Sequence, residues 1–89
     1  MKIISYDIAD DHLRTKFVKM ITKAGAIRLQ YSVYELNNSN RIVENLLMKI
    51  ENFSKAFTNA DSVVVFDVSS EKLVKYGNAI HRDKDIVYL

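Results

Sequence analysis

The sequence predicts an α+β fold with two helices on one face of an antiparallel sheet. Three observations carry that prediction. Short runs of β-branched and aromatic residues recur at the start, middle and end of the chain. Two longer stretches between them space their apolar residues as a helix does. Proline is absent and only two glycines occur, so polar loops and caps, not breakers inside the elements, mark the boundaries.

The elements follow in order. Lys2 to Ile8 alternates as a strand, with Ile4, Tyr6 and Ile8 on one face and Ile3, Ser5 and Asp7 on the other. Asp10 or Asp11 caps the helix that follows, where an acid also suits the helix dipole. Leu13, Phe17, Met20, Ile21 and Ala24 form its core-facing stripe, and Gly25 ends it. Ile27 to Leu36 reads as strand, either one bent strand or two short ones meeting near Gln30 to Ser32. Asn37 to Asn40 is a loop ending in a helix N-cap. Ile42, Val43, Leu46, Leu47, Ile50, Phe53 and Phe57 mark a second amphipathic helix. Val63 to Val68 is apolar on both faces, which predicts a central strand. Ser69 to Gly77 reads as a short helix closed by Gly77, and Asp85 to Leu89 as a last short strand. The order β-α-β(β)-α-β is that of a ferredoxin-like sandwich.

Eighty-nine residues make one domain, spanning 1–89, whose limited core would gain from oligomerisation. The absence of cysteine excludes disulfides, thiolate catalysis and cysteine-ligated metals. Two histidines leave little for a histidine-rich metal site. No apolar run approaches the roughly 18 residues that cross a bilayer, and the N-terminus enters a strand at once, so the expectation is a cytoplasmic protein with no membrane partner. Glycine occurs only at Gly25 and Gly77, which rules against a glycine-rich phosphate loop. The net charge is only +2, but Arg14, Lys16, Lys19, Lys23 and Arg28 crowd one third of the chain. That patch suits a phosphate backbone, although a solvated helix face explains the same residues.

Asp7 is the sharpest candidate for chemistry. An aspartate inside a strand is disfavoured, and Ile3, Ser5 and Asp7, joined by Val63, Val65 and Asp67, would leave an apolar face open. The expectation is a two-fold homodimer packing sheet on sheet, with the terminal strand extending the partner's sheet. Two symmetry-related Asp7 carboxylates would then repel unless a divalent cation lay between them. Magnesium suits one or two carboxylates with retained waters, and it can polarise a phosphoryl oxygen. A strand-end aspartate that caps the next turn is the simpler alternative. Asp10 and Asp11 suit capping better than ligation. Arg14 can clamp a phosphate or pair with Asp10 or Asp11 at helical spacing. Arg28 and Gln30 can face a nucleic-acid backbone. Most of Tyr6, Tyr31 and Tyr34 is explained by core packing. His81, Arg82 and Lys84 form a second basic spot.

Tyr6-Asp7-Ile8, Asp10-Asp11 and Leu13-Arg14, followed by Gly25 and Arg28-Leu29-Gln30-Tyr31-Ser32-Val33-Tyr34-Glu35, resemble one family over most of the chain. It is the small CRISPR-associated adaptation protein, second in the family numbering, often named the CRISPR-associated endoribonuclease. The resemblance implies a homodimer of ferredoxin-like protomers and a magnesium-dependent endonuclease on duplex DNA or single-stranded RNA. It implies a second partner, the CRISPR integrase, whose dimers this one would bridge during spacer acquisition. It carries the metal and catalytic role to Asp7, support to Tyr6 and Tyr34, and nucleic-acid binding to Arg14, Lys16 and Arg28. Two other readings stand beside it: a catalytically silent DNA-binding bridge, and a ferredoxin-like module for a small ligand or RNA.

Overall fold

The computed structural model describes residues 1–78. Its elements are β1 (Lys2–Asp7), α1 (Asp11–Lys23), β2 (Ile27–Gln30), β3 (Val33–Leu36), α2 (Asn40–Phe53) and β4 (Ser62–Asp67), with single 3-10 turns at Ser54–Ala56 and Ser70–Lys72. The strands form one antiparallel sheet in the order β2-β3-β1-β4. This is the α+β, ferredoxin-like arrangement that the element order predicts. The predicted last strand, Asp85 to Leu89, and the basic spot at His81, Arg82 and Lys84 lie outside the described residues.

Local chemistry sets the helix boundaries. Asp10, not Asp11, caps α1: its carboxylate accepts from the Leu13 amide at 2.8 Å. At the other end Gly25 takes φ +101°, its amide donates to Thr22, and the Ala26 amide donates to Ile21. Those two bonds make a Schellman motif, which satisfies carbonyls that the helix end leaves open. Ser39 caps α2 by accepting from Ile42. That helix stops at Phe53, short of the predicted Phe57, because the chain tightens into a 3-10 turn there. Phe57 still packs on Phe53, with ring centroids 5.9 Å apart.

Ile27 to Leu36 is two strands. They meet at Tyr31-Ser32, where Ser32, the second of the two turn residues, takes φ +66° in the left-handed region. The core lies between the sheet and the helices. Ile4, Tyr6 and Ile8 from the first strand segment pack with Phe17 and Ile21 of α1, Tyr34 and Leu36 of β3, and Leu46 and Ile50 of α2. Phe17, Ile4 and Ile21 are fully buried, and each such side chain contributes roughly 1.5–3 kcal/mol.

Three expectations are corrected. First, β4 is not central: among the described residues it pairs only with β1 and ends the sheet. Its apolar residues on both faces reflect one face under the helices and another left open. Second, the register sets Ile3 opposite Phe66, Ser5 opposite Val64 and Asp7 opposite Ser62. The open face therefore carries Ser62, Val64 and Phe66, while Val63 and Val65 pack against the core. A one-residue shift in pairing exchanges every side chain between faces, and the sequence alone does not supply that register. Asp67 likewise sits opposite Lys2, with its carboxylate 3.5 Å from the Lys2 ammonium. Third, Ser69 to Gly77 is not a helix. One 3-10 turn is followed by chain that sends Lys75 to Glu35, its Nζ donating to Oε1 at 3.0 Å. A segment that short has too few turns to sustain a helix without a packed face.

Candidate functional site

Alternation along β1 decides the geometry of the site. Tyr6 points into the helix side and is buried, whereas Asp7, one residue on, is exposed on the open side of the sheet. Among the described residues the Asp7 carboxylate makes no hydrogen bond or ion pair, so its oxygens are free for an external ligand. One such carboxylate per protomer fits magnesium, which takes one or two carboxylates and keeps waters or substrate oxygens for the rest. Among the described residues no group of three or more metal-ligating side chains occurs, so a second subunit or a phosphate must complete any such site.

The other predicted residues, Lys16 excepted, gather on the opposite face. Tyr6 and Tyr34 stand 6.1 Å apart, centroid to centroid, and with Arg14, Lys19, Arg28 and Tyr31 they line a groove of about 410 Å³ between α1 and the sheet. Arg14 is held in place. Its Nη1 donates to the Ile8 carbonyl at 3.0 Å, and its Nη2 pairs with Asp11. The hydrogen bond to Asp11 raises the Arg14 pKa further above its ordinary value, so the guanidinium stays charged. Burial, helped by the neighbouring Tyr34, pushes the Tyr6 phenol above its usual value. Tyr6 is therefore a neutral hydroxyl at physiological pH, able to donate but not to act as a base. Lys16 is exposed but does not line the groove. Arg14, Thr15, Val18 and Lys19 share one helix face, and Lys16 falls outside it. Lys19, which the sequence places only within the basic patch, lines the groove instead, and its i, i+4, i+5 spacing from Arg14 and Thr15 is the signal that distinguishes it from Lys16. Core packing explains Tyr6 and Tyr34 as expected but not Tyr31, which is exposed because it sits in the tight turn between β2 and β3.

The loop that follows Asp7 is tied down from across the fold. Asp61 accepts from the Ala9 amide at 2.9 Å through one oxygen, and from the Thr58 amide at 2.8 Å through the other. The Thr58 hydroxyl also donates to Asp61 Oδ2, at 3.2 Å. The loop before β4 is thereby fastened to the loop between β1 and α1. Among the described residues no helix is long and apolar enough to cross a membrane.

No curated protein matches this chain. The model for CRISPR associated protein Cas2 matches residues 1–76, which takes in both faces of the sheet, Asp7 and every residue of the groove. By that match, the chain belongs to the CRISPR-associated Cas2 family.

Proposed function

We propose that this protein acts in CRISPR adaptation as a homodimer that binds duplex DNA, bridges integrase dimers, and carries a magnesium-dependent endonuclease site at Asp7. The observation that supports it best is a strand carboxylate with no partner among the described residues, standing on an apolar sheet face. Val64 and Phe66 on that face are 50% and 51% exposed. Closing two such faces on each other would bury them and bring two Asp7 residues toward one axis. In that position the pair would hold one magnesium ion, which supplies polarisation of a phosphoryl oxygen and a bound water of lowered pKa. Arg14 and Arg28 supply cationic contacts for the nucleic-acid backbone, and Tyr6 and Tyr34 brace the strands on which Asp7 and the groove are built.

The deciding experiment compares wild type with Asp7→Ala on single-stranded RNA and duplex DNA, with and without magnesium. Magnesium-dependent cutting by the wild type, lost in the variant while the dimer persists, supports the enzyme reading. Equal cutting by both excludes Asp7 as the catalytic carboxylate. A second reading draws support from the separation of Asp7 and the groove onto opposite faces. On that reading the protein is a silent bridge, and Asp7→Ala leaves spacer insertion intact while loss of Arg14 and Arg28 weakens DNA binding and flattens its salt dependence.

A further inference from the structure

Two features of the groove are left over by a reading that needs only phosphate contacts. The first is Tyr31. It is 71% exposed at the tip of the β2–β3 hairpin, and the Arg28 guanidinium carbon lies 5.9 Å from its ring centroid. The second is the distribution of free charge. Arg14 spends its guanidinium on Ile8 and Asp11, whereas Arg28 and Lys19 make no ion pair or hydrogen bond among the described residues. The groove therefore joins a solvent-facing aromatic ring to two cations without an ion pair, one of which, Arg28, lies over that ring. Its volume of about 410 Å³ falls within the roughly 300–1,000 Å³ of ligand pockets.

An inorganic anion has no use for the aromatic wall. A fully paired duplex offers the cations its phosphates but keeps its base faces stacked inside. An unpaired nucleotide uses both: its base has a free π-face, and its phosphate is anionic. Resting on the nucleic-acid reading above, we propose that this groove binds one unpaired nucleotide, with the base against Tyr31 and the phosphate between Arg28 and Lys19. Tyr31 and Lys19 then join Arg14 and Arg28 as binding residues. Because Asp7 lies across the sheet, the nucleotide held here is not the one whose phosphodiester meets Asp7 of the same protomer.

The test is fluorescence anisotropy in EDTA, so that nothing is cut. The probes are a short labelled single strand of DNA containing 2-aminopurine, an RNA strand of the same sequence, and the matching blunt DNA duplex. Tyr31→Ala should weaken single-strand binding by roughly tenfold and abolish the quenching of 2-aminopurine, with less than about twofold change for the duplex. Tyr31→Phe should bind as wild type, which separates loss of the ring from loss of the fold. Binding of either single strand with this pattern supports the proposal, and the two strands together report whether the sugar matters. If both single strands and the duplex bind and Tyr31→Ala leaves them unmoved, or weakens all alike, this proposal alone is overturned. Failure of every probe to bind overturns the nucleic-acid reading with it.

Discussion

At the scale of single residues, Asp61 shows how one half-buried side chain can organise two loops. Its three accepted hydrogen bonds favour the ionised form, and the backbone bonds from Thr58 and Ala9 hold its pKa below the ordinary 3.8. A folded-state pKa below the unfolded one stabilises the protein above the unfolded value, and that contribution fades as pH falls through the folded value. Asp61→Asn should therefore lower the melting temperature at neutral pH. The gap to wild type should narrow below about pH 4 and close in stronger acid. A gap that is constant across an acid titration followed by circular dichroism would rule this out. Glu35 and Lys75 make a different kind of contact: both side chains are largely buried, at 10% and 18% exposure. Their bond draws the segment after β4 back over the open face, where Ile3 is only 9% exposed.

At the scale of elements, the caps differ in quality. Asp10 accepts from Leu13 at 2.8 Å and also places a charge at the positive end of α1. Ser39 accepts from Ile42 at 3.4 Å, a long bond from a neutral group. Urea denaturation should show Asp10→Ala costing about 1 kcal/mol and Ser39→Ala about half that. The reverse order would mean that the cap bonds do not control these helix ends. Gly25 has a stricter role. A Cβ there would lie 3.1 Å from Asn38 Nδ2, and that amide donates to the Ala24 carbonyl at 2.9 Å. The Schellman turn and the loop before α2 are thus packed on each other, which fixes where α2 begins relative to α1.

At the scale of the whole molecule, the sheet separates two chemistries. The helix side holds the core and the cationic groove; the open side holds Asp7, opposite Ser62, with Val64 and Phe66 further along the same face. If two copies meet through that open side, Phe66→Glu places like charges at the two-fold contact and removes apolar area. Sedimentation equilibrium should then find wild-type dimers and monomeric Phe66→Glu, with the helical circular dichroism of both unchanged. A wild-type protein that stays monomeric at high concentration would leave the shared Asp7 site without a basis.

Much of the fold was legible because its signals are local. Alternation in Lys2 to Ile8, the stripe from Leu13 to Ala24, a cap at Asp10 or Asp11, a cap within the loop Asn37 to Asn40, and the stop at Gly25 each act within a few residues of themselves. The run through Arg28 and Tyr34 was legible in the same way, as strand carrying the family motif. What the chain alone did not determine depends on pairing between distant segments. Strand order decided that β4 ends the sheet. Register decided that Phe66 and Val64, not Val65 and Val63, share a face with Asp7. The approach of α1 to the β2–β3 hairpin decided that Lys19 and Tyr31 join Arg28, while Lys16 does not. Local periodicity says that a strand has two faces, but only hydrogen bonding to its neighbour chooses which one turns toward the helices.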